Sequence, residues 1–367
     1  MGELVVLAEQ LLAPVPGGTG RYTAELLRAL AETVPEGWTL SSAVARHGDV
    51  EPARVEGVRG PLRLPLPRKA LVAAWQYGLP LWPGGTAMHA PTPLAPPRAG
   101  RGRTLSVTVH DTVPWTHPET LTPRGVAWHR SMITRAAARA DALVVPTHAV
   151  ARELAAYVPG AEGAHVIGHG VTALPDRVPM ELPPRYVLAI GTLEPRKGID
   201  VLVRAMTGLD EPLLLAGQPG WGGLDPLRLA AEAGLRDGQV RVLGRLTDAE
   251  LATVLSCATV LAAPSLAEGF GLPLLEAMAA GVPVVHSDAP ALAEVAGGAG
   301  RVVPRGDAVA LGSALREVLG SAQTAKELAE AGRARAAAFS WRAAAEAVWT
   351  IHTTSSLDPV RPESPGP

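Results

Sequence analysis

The hydrophobic positions of this chain cluster in short runs rich in β-branched side chains, a pattern typical of buried strands. Segments with apolar residues at helical spacing separate several of these runs, as in residues 20–32. Because parallel strands are joined by crossover helices, the alternation predicts α/β structure. The predicted strands are ELVVLAE (3–9), TLSVTVHD (104–111), DALVVPT (141–147), RYVLAIGTLE (185–194), LLLAG (213–217), QVRVLG (239–244), ATVLAAPS (258–265) and VPVVHSD (282–288).

A proline-rich stretch divides this pattern in two. The 367 residues exceed what one hydrophobic core usually supports, and ALPDRVPMELPPR, at 173–185, has four prolines. We therefore predict two Rossmann-like, doubly wound domains, residues 1–173 and 184–340, facing each other across a cleft. A final helix at about 341–354 is expected to pack back on the first domain, and the polar residues 355–367 are expected to be a disordered tail.

Composition narrows the class of protein only slightly. With 47% hydrophobic residues, 19% charged residues and a net charge of -2, the chain has no general attraction for nucleic acid. Its single cysteine, Cys257, lies in an apolar run and is expected to be buried in a reducing compartment. The N-terminus lacks a basic region, and no segment has the roughly 18 apolar residues of a spanning helix. We expect a cytoplasmic protein, at most peripheral to the inner face of a membrane.

The most informative run of the second half is AEGFGLPLLEAMAAGVPVV, at 267–285, where Glu268 precedes a glycine-rich turn and Glu276 follows on the next helix. Backbone amides at the start of a helix favour anions and hydroxyl groups, and glycines let a ligand approach the backbone. Flanking carboxylates suit a ligand rich in hydroxyl groups. The residues between the two glutamates that we expect to contact such a ligand are Gly269, Phe270, Gly271 and Leu272.

A second group of candidates lies in IGTLEPRKGID, at 190–200, where a strand ends near Gly191 and a turn carries Arg196 and Lys197. A helix start disfavours positive charge unless an anion is nearby. Arg196, as a forked donor, and Lys197, as a point charge, can bind a diphosphate. We therefore expect these two cations to replace a metal ion.

In the first half, PGGTGRY, at 16–22, follows a strand and opens a helix, so that Gly18 and Thr19 can approach a phosphate or an acceptor. This loop departs from the G-x-G-x-x-G pattern and has no strand-ending acid for ribose, which disfavours an NAD enzyme. His110 and Asp111 end another strand, the position that faces the ligand crevice in doubly wound folds.

Taken together, these runs resemble the retaining family-4 glycosyltransferases with the GT-B fold (glycosyl transferases group 1). The matching motifs are E-x7-E at 268–276, G-x-x-x-x-R-K-G at 191–198, GG-x-GRY at 17–22 and H-D-x-x-x-x-x-x-P-E at 110–119. The resemblance implies that Glu268 and the backbone of Phe270 and Gly271 hold the donor sugar. It also implies that Glu276 binds the ribose.

By the same resemblance, His110 is a donor-sugar and catalytic-site histidine, while His117 and His89, the latter on the acceptor side, match more weakly. The expected catalytic residues are therefore His110, Arg196, Lys197 and Glu268. The region of Gly217–Gly223 and Arg245 is expected to border the nucleobase. The HD and HPE combination resembles mannosyltransferase-like members and slightly favours GDP-mannose. One departure is His169, which stands where the family usually has an asparagine.

The expected reaction moves a hexose from a nucleotide diphosphate sugar to a hydroxyl of a polysaccharide, a glycolipid or a small molecule. The sequence has no convincing separate nucleophile, which favours departure and attack on the same face, with the leaving phosphate accepting the proton. A D-x-D motif and His/Cys ligand spacing are lacking, so no cofactor and no metal are expected. The alternatives are a nucleotide-sugar 2-epimerase and an inert GT-B sugar-binding or partner subunit.

Residues 58–82 combine basic and aromatic side chains and fit contact with an anionic membrane or a lipid-linked acceptor. The simpler interpretation is a solvated basic loop before a packed helix. The acceptor and the oligomeric state are left open at this stage. The side chains concerned are Arg59, Arg63, Arg68, Lys69, Trp75, Tyr77 and Trp82.

Overall fold

The computed structural model describes residues 2–220 and 222–355. The first half forms a parallel sheet in the order β3-β2-β1-β4-β5-β6-β7. The chain moves outward from β1 to β3 and then returns beside β1 as β4, which creates a switch point between β1 and β4. The strands are β1 (Gly2–Leu7), β2 (Trp38–Val44), β3 (Arg59–Arg63), β4 (Ala87–Ala90), β5 (Thr104–Thr108), β6 (Ala142–Val145) and β7 (His165–Val166).

The second half repeats this architecture in the order β10-β9-β8-β11-β12-β13, again with parallel strands. The prediction of two Rossmann-like α/β domains across a cleft is confirmed. β2, β3, β4, β7 and β13 were not predicted. The strands are β8 (Val187–Ile190), β9 (Leu213–Ala216), β10 (Val240–Gly244), β11 (Val260–Ala263), β12 (Val284–Ser287) and β13 (Arg301–Val303).

Helices connect most of the successive strands within each half, although in the described part of the chain no α-helix lies between β2 and β3 or between β4 and β5. In the first half they are α1 (Gly17–Glu32), α2 (Arg68–Gln76), α3 (Val113–Thr116), α4 (Pro123–Arg139) and α5 (His148–Tyr157). In the second half they are α6 (Ile199–Ala205), α7 (Pro226–Glu232), α8 (Asp248–Ser256), α9 (Leu272–Ala280), α10 (Pro290–Ala296), α11 (Ala308–Gly320), α12 (Ala322–Ala336) and α13 (Trp341–Ser355). Within the described residues, no helix is long and apolar enough to cross a bilayer.

The chain passes between the halves twice. Residues 167–186 form neither helix nor strand, and after α12 the chain returns so that α13 packs on α1. Trp349 of α13 donates its indole N–H to the carbonyl of Leu30, 3.3 Å away. The predicted disordered tail lies outside the described residues apart from Ser355, which ends α13.

One expectation about an individual side chain is wrong. Cys257 is exposed, because it caps the C-terminal end of α8 although its neighbours along the chain are apolar. Trp75 is fully buried in the core of the first half, which fits the simpler interpretation of residues 58–82 as a basic loop before a packed helix. Tyr77, just past the end of α2, is exposed.

Candidate active site

The predicted site residues of the two halves meet where the chain leaves β5 and β11. His110 follows β5 by two residues, and the glycine-rich turn follows β11. The contact is backbone to backbone: a Cβ at Gly269 would lie 1.8 Å from the carbonyl oxygen of His110, so only glycine fits. Thr147 Oγ1 donates to the Gly269 carbonyl at 3.2 Å. The two halves are therefore in direct contact at the predicted site.

Glu268 lies at the centre of a group of ion pairs. Its carboxylate accepts hydrogen bonds from Lys197 Nζ at 2.6 Å and from Ser265 Oγ at 2.8 Å, and Arg196 Nη1 lies 3.7 Å from its second oxygen. Burial alone would raise the pKa of the Glu268 carboxyl, but Lys197 and Arg196 outweigh it and hold the pKa below its usual value. Glu268 is thus an anion at neutral pH.

The turn that carries these cations depends on Gly198. Residues Pro195–Lys197 form a short 3-10 helix, and Gly198 follows with φ 66° in the left-handed region. A Cβ on Gly198 would lie 2.3 Å from the carbonyl oxygen of Pro264, which excludes other residues. This close packing places the turn beside the segment that ends in Glu268.

Arg196 has further acceptors that the sequence reasoning missed. It donates to Glu194 at 2.6 Å and to the Ala267 carbonyl at 2.8 Å. Burial lowers the pKa of the Arg196 guanidinium, but Glu268, Asp111 and Glu194 reverse that effect and raise it. Because Asp111 belongs to the first half, its charge acts on Arg196 across the crevice.

Glu276 is paired with a residue from the other half. Its side chain is 3% exposed, and Arg21 of α1 donates to it at 2.7 Å while also donating to Asp248 at 2.7 Å. Burial raises the pKa of the Glu276 carboxyl, and Arg21 only partly opposes this. Arg21 lies in the GRY motif, and a buried carboxylate requires a cation, but nothing in the local pattern indicates that this cation is Arg21.

The glycine-rich turn leads into α9 at Gly271, which has φ 95°. Phe270 and Leu272 are both buried. Beside this turn lies a cavity of about 20 Å³, lined in part by Gly191, Lys197 and Glu268. A space of that size holds about one water molecule, so this cavity beside Lys197 and Glu268 is small.

A much larger cavity of about 760 Å³ lies in the first half; we call it the first-half cavity. Its lining includes Thr19, His110 and Asp111, three residues from stretches that the sequence indicated. The volume falls in the range of about 300–1,000 Å³ that is typical of small-molecule sites. The first half therefore has room for a ligand beside His110.

Family models divide the chain in the same way as the two sheets. Residues 16–173 match the model described as Glycosyltransferase Family 4, and residues 184–321 match the model described as Glycosyl transferases group 1. The chain therefore belongs to the glycosyltransferase family that these two models describe together.

Individual relatives agree with that assignment. The chain is 42% identical over 163 residues to O-antigen chain mannosyltransferase B of Escherichia coli, which is 42% of each chain. It is 35% identical over 179 residues to a phosphatidyl-myo-inositol mannosyltransferase of Mycobacterium leprae, 46% of each chain. The matches thus span less than half the length of these curated relatives.

Solved structures establish the fold of this family member. Sucrose-phosphate synthase of Thermosynechococcus elongatus superposes with a TM-score of 0.72 at 24% identity, covering 97% of this chain and 99% of its own. The fold is GT-B.

His110 of this glycosyltransferase family member is held in one tautomer. Its Nε2 lies 2.8 Å from the carbonyl oxygen of Pro91, and since a carbonyl only accepts, Nε2 carries the hydrogen. Burial lowers the pKa of the His110 imidazole, although Pro91 and Asp111 oppose this. The ring is therefore neutral near pH 7, with Nδ1 available as an acceptor.

His169 lies in the segment 167–186, which connects the two halves. It is 5% exposed, and within the described residues neither of its ring nitrogens has a hydrogen-bond partner. Its ring stacks on Trp341 at 5.6 Å and lies 4.3 Å from Phe270 and 4.7 Å from Tyr22. Burial lowers the pKa of His169 well below its usual value.

The two weaker histidine candidates lie outside the site. His89 is 0% exposed, with Nδ1 2.8 Å from Ser106 Oγ and Nε2 3.3 Å from Thr108 Oγ1. The expectation that it lines the acceptor side is therefore wrong, because its position within β4 directs it into the core. His117 pairs with Thr116 and lines neither of the two cavities.

The remaining candidates lie at the edge of the site. Gly18 is exposed in the first turn of α1. Arg245 is exposed after β10 and lines neither cavity. The loop of Gly217–Gly223 approaches the turn Pro195–Lys197, here called the cation turn. A Cβ at Gly222 would lie 2.8 Å from Pro195.

Proposed function

We propose that this protein is a retaining glycosyltransferase that moves a hexose from a nucleoside diphosphate sugar to a hydroxyl acceptor without a divalent metal. The observation that carries this proposal is the direct contact between the His110 backbone and the turn beginning at Glu268, next to Arg196 and Lys197. The first-half cavity lies on one side of this contact, and Arg196 and Lys197 lie on the other side.

The cations suit a diphosphate leaving group. When the bond between the anomeric carbon and the phosphate oxygen breaks, its electron pair goes to that oxygen, where Lys197 and Arg196 stabilise the charge. The acceptor oxygen forms the new bond to the anomeric carbon, and its proton passes to the departing phosphate. Glu268 then holds the sugar hydroxyls, and Glu276 holds the ribose once Arg21 has released it.

The pairing of the carboxylates supports transfer on the same face. A covalent intermediate needs a carboxylate that can attack the anomeric carbon. Glu268 is engaged by Lys197 and Arg196, and Glu276 is engaged by Arg21. Neither is free to act as a nucleophile, which favours assistance by the leaving phosphate over a glycosyl-enzyme.

Mannose is the favoured sugar, and GDP-mannose the favoured donor. Both curated relatives described above are named as mannosyltransferases. The HD and HPE combination at 110–119 supports the same choice.

The test is a metal-free titration of UDP, GDP, ADP and TDP into the parent protein, Lys197→Ala and Lys326→Ala. Lys326 is the matched control, because it is 69% exposed and pairs only weakly with Glu330 at 3.9 Å. We expect GDP to bind best and Lys197→Ala to weaken binding roughly tenfold or more, with Lys326→Ala unchanged. Absence of binding by all four nucleotides would overturn the proposal and favour an inert subunit.

The preferred nucleotide then selects the sugar donor for turnover. The reaction is run in the presence of EDTA, and NMR determines the linkage of the product. A product that keeps the α-linkage of the donor would support retention without a metal. Release of an epimerised sugar without any acceptor would instead identify the 2-epimerase alternative.

A further inference from the structure

The first-half cavity carries more positive charge than its own carboxylates balance. Arg68 and Lys69 from the first turn of α2, and Arg124 from the first turn of α4, line it together. Two carboxylates, Glu9 and Asp111, also belong to the lining. The cations come from two separate helices, so their convergence is a property of the folded chain.

The two carboxylates have partners other than Lys69 and Arg124. Glu9 is buried and accepts from the Ala45 amide and from His47, both at 2.8 Å, and Arg68 lies 3.4 Å from it. The charge of Asp111 acts on Arg196 across the crevice. Within the described residues, neither of these acids therefore forms an ion pair with Lys69 or Arg124.

Lys69 and Arg124 have no ion-pair partner within the described residues. Both also lie at helix starts, where the backbone amides already present partial positive charge. The preceding residue of α2, Pro67, provides no side-chain cap. At α4, Thr122 does provide a cap, accepting from the Gly125 amide at 3.0 Å. A cation is still repelled by the partial positive charge of a helix start unless an anion binds there, and these two cations border one cavity.

His110 and Thr19 line the same cavity, and the His110 carbonyl contacts Gly269 of the turn that follows Glu268. Apolar side chains of Val72, Leu94 and Ile133 form part of the wall. The volume of about 760 Å³ accommodates a sugar-sized group together with a phosphate. A bound molecule can therefore place a hydroxyl near His110 and an anion near Lys69 and Arg124.

We propose that the acceptor is a hydroxyl compound bearing a phosphate group, and that Lys69 and Arg124 bind this phosphate. This inference rests on the proposed glycosyl transfer and specifies its second substrate. Phosphate is the chemistry that forked and point cations at helix starts recognise. The phosphate belongs either to a soluble sugar phosphate or to a phospholipid headgroup, and the experiment separates the two.

The soluble arm compares glucose with glucose 6-phosphate, and mannose with mannose 6-phosphate, in calorimetric titrations. Each titration is made with the preferred nucleoside diphosphate at saturation, so that the donor cations are already occupied. The lipid arm measures sedimentation with phosphatidylcholine vesicles, with and without phosphatidylinositol. Lys69→Ala/Arg124→Ala is compared with Arg98→Ala/Arg101→Ala, which removes the same charge from exposed residues outside the cavity lining.

We expect at least one phosphate-bearing probe to bind roughly tenfold more tightly than its neutral counterpart, with the gain lost in the Lys69/Arg124 variant only. Preference for a sugar phosphate identifies a soluble acceptor, and preference for the phosphatidylinositol vesicles identifies a lipid. Equal binding of neutral and phosphorylated probes, or equal loss in both double variants, would overturn the inference. Nucleotide binding in the same samples reports separately on the proposed function.

Discussion

The two sides of the crevice differ in how they treat charge. On the first-half side, a cavity of about 760 Å³ has Lys69 and Arg124 at its edge without ion-pair partners among the described residues. On the second-half side, a cavity of about 20 Å³ borders Lys197 and Glu268, which pair with each other at 2.6 Å. The first-half side is open and has cations without counter-ions among the described residues, whereas the second-half side provides the counter-ion of Lys197 itself. Under the proposed function, a donor must therefore displace ion pairs, whereas an acceptor enters an existing space.

The same contrast exists within one motif. Glu268 pairs with cations of its own half, whereas Glu276 pairs with Arg21 of the other half. The pKa of Glu268 is lowered and that of Glu276 is raised, because burial is more fully compensated at Glu268. Glu276 therefore links the predicted ribose site to the contact between the halves.

The largest expected change in stability comes from Arg21→Ala. It leaves Glu276 buried without a cation, and we expect the free energy of unfolding to fall by about 3 kcal/mol in urea denaturation. Arg28→Ala, on the same helix, breaks only an exposed pair with Glu25 and should cost less than about 0.5 kcal/mol. Equal losses in the two variants would show that Arg21 does not carry the link between the halves.

Glu268→Gln should separate binding from transfer. It removes the counter-ion of Lys197, so the affinity for nucleoside diphosphate should hold or increase, while loss of the charged sugar contact should lower turnover about 100-fold. The measurement is a paired determination of nucleotide Kd and kcat, with Glu330→Gln as an exposed control. A parallel fall in affinity and turnover would instead assign Glu268 to holding the cations in place.

His169→Phe should stabilise the protein. The substitution keeps an aromatic ring between Trp341 and Phe270 but removes two buried nitrogens that have no hydrogen-bond partner among the described residues. This should raise the free energy of unfolding by about 1–2 kcal/mol. His169→Asn keeps buried polar atoms, loses the stacking and should not stabilise. Destabilisation by phenylalanine would mean that the imidazole nitrogens are satisfied in solution.

The smallest effects concern the pH dependence of stability. Glu268 has a lowered pKa, so its contribution is present above the usual carboxyl pKa and is lost as pH falls through the lowered value. Glu276 has a raised pKa, so stability decreases as pH rises from the usual value through the raised one. In urea titrations between about pH 3 and 7, Glu268→Gln should therefore flatten the rise of stability with pH, whereas Glu276→Gln should steepen it. Slopes that change in the same direction would contradict the opposite pKa shifts.

Much of the fold could be predicted because its signals are local. The β-branched runs around β5, β8 and β12 are buried strands of parallel sheets, which are recognisable without knowledge of their neighbours. Short or less regular strands such as β7 and β13 were missed. Only pairing with an adjacent strand distinguishes a segment of two or three residues from a loop.

The direction of a side chain was less predictable than its element. His89 and His110 both lie near strand ends, but β4 continues to Ala90 while β5 stops at Thr108. His89 therefore lies inside the sheet with Ser106 as a partner, and His110 lies beyond the sheet at the crevice. A difference of three positions relative to the end of the strand therefore separates a core histidine from a candidate site residue.

The sequence alone was sufficient to predict the two α/β halves, the cation turn that ends at Gly198 and the helix that starts at Gly271. Each of these depends on backbone preferences within a few residues. Tertiary structure alone decided that Glu276 pairs with Arg21, that Cys257 is exposed and that cations from α2 and α4 share a cavity. Arg21 and Glu276 are 255 positions apart, and such contacts depend on how two domains dock, which local periodicity does not encode.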